Sequence, residues 1–246
     1  MRIQSPFLLA AVLSLSLAHG VLAAAEDDFA KANQAYGEAR YAEAAAGYQK
    51  LVRSGNWNAT VFYNLGNAQY RLGNFGQAIL NYERALALDP RHPEADANLR
   101  LARDEARALE LRKNWLERYA AMGTAKQWSF AAAAGFWLAL FMVVIPTRKR
   151  SAARISLVVL GAVACGVSVF AIATLENGPG GKALAIVTGK NVTARIATAD
   201  SAQTVLVLPA GSEIKLLSER GDWVYAELPN DQHGWIPASA AERVRM

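Results

Sequence analysis

Apolar residues are gathered into three long blocks, which separate two more polar segments. The blocks are Phe7–Ala25, Trp128–Ile145 and Ile155–Leu175. The first polar segment carries a repeated pattern that predicts pairs of helices, as described below. In the second, over 182–246, apolar and polar residues alternate in short runs, which is typical of strands. The chain is therefore predicted to combine a helical segment over 26–127, apolar helices and a small β domain.

The N-terminal block has the form of a secretory signal. Arg2 supplies a positive charge, Phe7–Leu17 an apolar stretch, and Ala23-Ala24-Ala25 a small-residue cleavage site. Residues 1–25 are therefore predicted to direct export. The alternative is an uncleaved anchor, and in either case residues 26–127 cross the membrane.

The two later blocks are each long enough to cross a bilayer, because a helix rises about 1.5 Å per residue and the hydrocarbon core is about 30 Å thick. The predicted spans cover 128–145 and 155–175. The connection 146–154 holds no acidic side chain and four basic ones, Arg148, Lys149, Arg150 and Arg154. By the positive-inside rule it is predicted to be cytoplasmic, so that both polar segments face the other side. Neither span contains an ionisable residue, which argues against a transport role.

Small residues mark the second span. Gly161, Ala162, Cys165 and Gly166 recur at helical spacing. Such residues let two helices pack closely in a membrane. The alternative is an ordinary span rich in alanine and glycine.

The net charge of +5 comes from the basic connection rather than from a basic surface. Residues 26–126 hold 14 basic and 13 acidic side chains, and residues 182–246 hold seven of each. This balance argues against a nucleic-acid partner. Cys165 is the single cysteine, so the chain has neither an intramolecular disulfide nor a thiolate metal site.

Residues 59–92 follow the pattern of a known helical repeat. Residues of the required size stand at its spacing: Phe62, Leu65, Gly66, Tyr70, Gly73, Phe75, Ala78, Tyr82, Ala85 and Pro90. The segment resembles a tetratricopeptide repeat, a helix pair of about 34 residues. Gly66 and Ala78 keep the crossing of the two helices close, and Gly73 makes the turn between them.

A weaker copy precedes this repeat at 25–58, and a capping helix follows it. A shift of 34 residues back from the strong copy reaches residues of the same class: Ala32, Asn33, Tyr36, Tyr41, Ala44 and Tyr48. Ala39 stands where the strong copy has Gly73, which weakens the turn signal. Residues 93–120 restart the pattern, but Arg100 replaces its small residue, and we predict a single capping helix there.

Solenoids of such repeats bind peptides and proteins on the concave face formed by the first helix of each pair. In this chain that face is predicted to carry Phe29, Asn33, Tyr36, Tyr63, Asn67 and Tyr70. Asparagines hydrogen-bond an extended backbone, and tyrosines cover apolar side chains. The alternative is that these side chains pack between neighbouring helices or face water.

The C-terminal segment 182–246 is predicted to form about five short strands. Alternation covers Ala183–Thr188, Thr204–Leu208, Glu213–Leu217 and Trp223–Leu228, with Gly- and Pro-containing turns between them. The order of its Gly, Pro and Trp motifs resembles a bacterial SH3 domain, which is a small barrel. The candidates for a groove that binds a peptide or a cell-wall stem are Trp223, Tyr225, His233 and Trp235. The alternative is that Trp223 and Trp235 belong to the barrel core.

The sequence lacks the residue sets that enzymes need. Of the three histidines, one lies in the leader, and His92 and His233 lie in unrelated segments. No nucleophile–base pair, phosphate-binding glycine loop or metal-ligand spacing is evident. We therefore predict no catalytic residue, no metal and no cofactor.

The order of the segments is more specific than any one of them. Leader, tetratricopeptide repeats, two spans and an SH3-like domain together resemble the tetratricopeptide–SH3 membrane subunit of the bacterial aerotolerance (Bat) operons. The resemblance implies partners that are von Willebrand factor A-domain membrane proteins and a MoxR-type AAA+ ATPase system. We expect a scaffold at the outer face of the bacterial cytoplasmic membrane. The rival hypothesis is a peptidoglycan-binding accessory that acts through the SH3-like domain.

Overall fold

A computed structural model describes residues 25–112, 115–120, 123–144, 152–177 and 181–245. The chain divides into two compact units, the first ending at Ala102 and the second beginning at Arg103. Most of the predicted leader lies outside the described residues. So do Arg148, Lys149 and Arg150, whereas the backbone of Arg154 lies in a helix.

The first unit is a series of antiparallel helices. Helix α1 covers residues 25–37 of the described chain. It is followed by α2 Tyr41–Arg53, α3 Ala59–Arg71, α4 Phe75–Leu88 and α5 Pro93–Ala106. These helices form two pairs and the start of a third, with α3 and α4 over the strong copy of the repeat. The architecture is a helical repeat region.

Both helix pairs turn through a residue in the left-handed backbone region. Gly73 has a φ of 74°, and Ala39 has a φ of 60°. The hydrogen bonds that end the two helices are also the same. The Asn74 N–H donates to the Gln69 carbonyl at 2.9 Å, and the Arg40 N–H donates to the Ala35 carbonyl at 2.8 Å. Ala39 therefore forms the same turn as Gly73, although a side chain disfavours that conformation.

The strong copy has the close helix crossing that its sequence predicts. A Cβ atom added to Gly66 would lie 2.6 Å from the Tyr82 ring. Tyr82 is buried, as are Phe62, Ile79 and Ala78. Glycine at position 66 is therefore required by packing, because any side chain would push α3 and α4 apart.

The second unit begins with the last residues of α5, which ends at Ala106. Arg107 then takes a positive φ of 50°, and residues 108–112 are not helical. The predicted capping helix over 93–120 is thus interrupted. A separate short helix, α6, covers Trp115–Ala120.

Two long apolar helices follow, α7 Ala125–Val144 and α8 Ala152–Asn177, and they pack against each other. Ser168 Oγ donates a hydrogen bond of 2.8 Å to the Ala132 carbonyl. A Cβ atom on Gly135 would lie 2.7 Å from the Ala164 carbonyl oxygen. The close contact thus uses small residues, as predicted, but a different set. Gly161, Ala164, Ser168 and Ala171 are buried on α8, whereas Ala162, Cys165 and Gly166 are exposed.

The seven strands form one antiparallel sheet. They are β1 Leu184–Val187, β2 Val192–Arg195, β3 Thr204–Leu208, β4 Glu213–Arg220, β5 Trp223–Glu227, β6 His233–Pro237 and β7 Ala241–Arg243. Their order across the sheet is β3-β2-β6-β5-β4-β1-β7. The core side carries Ala185, Ile214, Val224, Ala226, Leu228 and Ile236. Of these strands, β2, β6 and β7 were not among the predicted alternating runs.

The segment after α5 is part of the β domain. The Glu213 N–H donates to the Leu109 carbonyl at 2.8 Å, and the Leu109 N–H donates to Ser212 Oγ at 3.1 Å. The Leu111 N–H donates to the Glu213 carboxylate at 3.2 Å. Arg103 forms an ion pair with the same carboxylate, and Leu109 packs against the sheet core. Residues 103–111 therefore complete this domain, although the two helices α7 and α8 separate them from the strands along the chain.

Candidate functional site

Two asparagines of the predicted concave face accept hydrogen bonds inside the repeat region. Asn33 Oδ1 accepts from the Tyr48 hydroxyl at 2.6 Å and from Asn64 Nδ2 at 3.2 Å. Asn67 Oδ1 accepts from the Tyr82 hydroxyl at 2.8 Å and from Asn98 Nδ2 at 2.9 Å. The second set is the first one moved by 34 residues.

This network fixes the orientation of both amides. An amide oxygen has two lone pairs, and each of these oxygens already has two donors. The Nδ2 groups of Asn33 and Asn67 donate to no acceptor in the described part of the chain. The asparagines therefore support the helices with their oxygens and keep their N–H donors for another acceptor.

A pocket of about 180 Å³ lies among the helices of the first unit. Three of the predicted face residues, Tyr36, Asn67 and Tyr70, line it together. The other lining residues are Arg71, Tyr82, Asn98 and Leu101. The pocket combines tyrosine rings with N–H donors, and its lining contains no carboxylate.

Arg71 is held at this pocket by the tyrosines of the first repeat. Its Nε and Nη2 donate to the Tyr41 hydroxyl at 3.2 and 3.0 Å, and its guanidinium lies 5.2 Å from the centre of the Tyr41 ring. The rings of Tyr41 and Tyr36 contact each other edge to face, with centroids 5.3 Å apart. These contacts position the cation at the pocket wall.

The remaining predicted face residues lie elsewhere in the first unit. Phe29 contacts Tyr48, with ring centroids 6.0 Å apart, and lines a separate cleft with Leu51 and Val61. Tyr63 stacks on His92 at 4.7 Å. The sequence analysis missed Arg71, Tyr41 and Asn98 as lining or supporting residues. The spacing of 34 from Asn64 to Asn98 was a readable signal, whereas Arg71 corresponds to Gly37 and had none.

Burial changes the acidity of the two tyrosines that support the asparagines. Burial raises the pKa of Tyr48 to about 12. Burial also raises the pKa of Tyr82, and more strongly. Both hydroxyls are therefore protonated at neutral pH and donate to the amide oxygens.

A second cluster lies on the sheet of the second unit. Tyr225 and Trp235 are direct cross-strand neighbours on β5 and β6, with ring centroids 5.0 Å apart. Tyr225 also stacks on His233 at 5.8 Å. These residues and Trp223 alternate with the core residues Val224, Ala226 and Ile236, so they face away from the core. Neither tryptophan belongs to the buried core, and both are half-buried.

Across the described ranges no group of three His, Cys, Asp or Glu side chains is placed to hold a metal ion. The tetratricopeptide repeat family matches residues 59–92. No curated protein matches the chain. The match covers the strong copy of the repeat and the helices α3 and α4 that form most of the pocket.

Proposed function

We propose that the protein is a non-enzymatic scaffold, anchored in the bacterial cytoplasmic membrane, that binds protein partners on its outer face. The observation that carries the proposal is the pocket lined by Tyr36, Asn67 and Tyr70 in a tetratricopeptide repeat region. Repeats of this class generally mediate protein–protein interactions. Here the pocket offers rings and outward N–H donors, which suit an extended segment of a partner.

The apolar surface of the helix pair supports membrane anchoring. Among the described helices, Ile155–Glu176 is long and apolar enough to cross a membrane, with a mean hydropathy of 2.5. Large side chains of α7 are exposed as well, among them Phe130, Trp137 and Phe141. Such a continuous apolar surface is rare on proteins in water.

The contacts of Glu213 support an even number of crossings. Arg103 and Leu111 precede α7, and Glu213 follows α8, yet both contact the Glu213 carboxylate. Groups in contact lie on one side of a bilayer. If α8 crosses the membrane, α7 therefore crosses it too, which agrees with the cytoplasmic connection expected from its four basic residues.

The resemblance to the Bat subunit suggests the partners. They are A-domain membrane proteins and a MoxR-type ATPase system in the same envelope. Site-directed photocrosslinking in native membranes tests this, with the crosslinking amino acid placed at Tyr36 or Tyr70. Both positions are expected to capture the same envelope protein, and exposed Ala46 on α2 serves as the control. Capture at Ala46 alone, or at no position, would contradict a partner in the pocket.

Single-cysteine labelling tests the topology. Cys165 is replaced by alanine, and one cysteine is then placed either at Thr147 in the basic connection or at exposed Ser201. An impermeant thiol reagent added to spheroplasts is expected to label Ser201→Cys and to spare Thr147→Cys until the membrane is permeabilised. The opposite labelling pattern would overturn the orientation, and equal labelling would overturn the paired spans.

A second candidate function rests on the aromatic face of the sheet. Tyr225, Trp235 and His233 form an exposed or half-buried ring cluster that suits stacking on a cell-wall ligand. The full chain in nanodiscs is expected to sediment with purified peptidoglycan if this function operates. Trp235→Ala should then reduce sedimentation, whereas Trp57→Ala, at an exposed tryptophan of the first unit, should not. Equal sedimentation of all three proteins would exclude this face.

A further inference from the structure

We propose that Arg71 is the specificity-determining residue of the pocket, and that it selects a partner segment carrying a carboxylate. The inference rests on the proposed function, since it assumes that a protein segment occupies this pocket. It adds the chemical class of that segment. Arg71 stands out because the matching position of the first copy is Gly37, so the repeat fold itself does not require it.

The guanidinium is held in place while part of its donor set stays open. Two of its N–H groups point at the Tyr41 hydroxyl. The donors on Nη1 and the outer donor on Nη2 have no acceptor within the ranges that the structure describes. Together these donors form the planar fork that matches the two oxygens of a carboxylate.

No acidic side chain of the first unit neutralises this cation in the described chain. The arginines of neighbouring turns differ in this respect. Arg40 pairs with Glu38 and Glu43, and Arg100 pairs with Asp96 at 2.5 Å. Arg71 instead contacts tyrosines, which position it without neutralising its charge. An incoming carboxylate therefore meets a preorganised and uncompensated positive charge.

The other pocket groups favour the same ligand. The Asn67 amide has its oxygen engaged by Tyr82 and Asn98, so it presents an N–H donor to the pocket. The volume of about 180 Å³ is below the roughly 300–1,000 Å³ of small-molecule sites. The pocket thus suits one side chain or one chain terminus, with an acceptor near both Asn67 and Arg71.

Selection from random peptides with the full chain in nanodiscs tests the inference. The library is offered in two forms, with a free C-terminus and with an amidated one. Enrichment of Asp or Glu at one position in both forms identifies an acidic side chain as the ligand. Enrichment only in the free form identifies the C-terminal carboxylate.

The variants then assign the preference to Arg71. Arg71→Gln is expected to weaken the selected peptides roughly tenfold, the loss typical of charge-assisted hydrogen bonds. Tyr41→Phe, which removes the acceptor that positions Arg71, is expected to weaken them less. Arg53→Gln removes the same charge from an exposed site in the last turn of α2 and should have little effect.

Each result bears on the inference differently. Selected peptides without an acidic position, or an acidic preference that survives Arg71→Gln, would overturn the role of Arg71 and leave the binding function standing. A similar loss with Arg53→Gln would reduce the effect to net charge and also overturn it. If the wild-type chain enriches no peptide, both the inference and the proposed binding of peptides in this pocket are contradicted.

Discussion

The Tyr82 hydroxyl donates a hydrogen bond of 2.8 Å to Asn67 Oδ1, and the same bond recurs 34 residues earlier between Tyr48 and Asn33. Each bond joins the second helix of a pair to the first. The two positions thus link the packing of the repeat to the pocket, because the bond also sets which edge of each asparagine faces outward.

Tyr82→Phe is expected to destabilise α3 and α4 by about 1 kcal/mol, the usual net value of one hydrogen bond. The ring stays in place, so the packing against Gly66 is kept. Hydrogen exchange of the α3 and α4 amides in the full chain measures the loss. Tyr63→Phe is the control, since its hydroxyl takes part only in a long contact of 3.4 Å with Asn98. Equal protection in the two variants would show that the Tyr82 hydrogen bond contributes nothing.

Alkaline pH is expected to destabilise the same helices. The pKa of Tyr48 is raised to about 12 in the folded chain, above its ordinary value of 10.0. The folded state therefore holds this proton more tightly than the unfolded state does. The resulting stability is fully present below pH 10 and is lost as the pH rises towards 12.

Hydrogen exchange is too fast to follow at that pH, so the loss is measured as helical circular dichroism during urea titration. The double variant Tyr48→Phe, Tyr82→Phe removes both buried phenols and is expected to show a flatter decline above pH 10. Tyr70→Phe keeps both and should decline as the wild type does. A decline that is identical in all three chains would assign the alkaline effect to other groups.

The repeat was the most predictable part of the chain, because its 34-residue spacing is written in the side chains. Spacing identified Asn33 and Asn67 as equivalent, but it could not show that their oxygens bond to tyrosines of the next helix. The strand β6 contains Gly234 and Pro237, which obscure its alternation, and β7 is only three residues long. The predicted helix over 93–120 was interrupted for a reason that lies far along the chain. Its N–H groups at 109 and 111 bond to Ser212 and Glu213, and such pairing leaves no local pattern.

Ala39 offers a stabilising change. Its φ of 60° costs an alanine about 1 kcal/mol relative to glycine. Ala39→Gly is therefore expected to stabilise α1 and α2 by about that amount, and Gly73→Ala to destabilise α3 and α4 similarly. Urea unfolding followed by circular dichroism compares the variants. Gly37→Ala, at a position without a positive φ and with open space around it, should not destabilise the chain. A loss of stability in Ala39→Gly would show that the turn does not favour glycine.

Glu213 is the group on which the junction with residues 103–111 depends. Its side chain is only 4% exposed and is paired with Arg103, which is 15% exposed. Glu213→Ala leaves that buried arginine without its carboxylate, and removing one partner of such a pair costs about 3–5 kcal/mol. Hydrogen exchange of the β1 and β4 amides in the full chain measures the loss.

Glu219→Ala provides the matched control for that change. Glu219 lies on the same strand and pairs with Arg243 at 2.9 Å, but its side chain is 63% exposed. An exposed pair contributes at most about 1 kcal/mol, so this variant should remain near wild-type protection. Similar losses in the two variants would mean that burial of Glu213 adds nothing. Residues 103–111 would then be an attached segment rather than a structural part of the β domain.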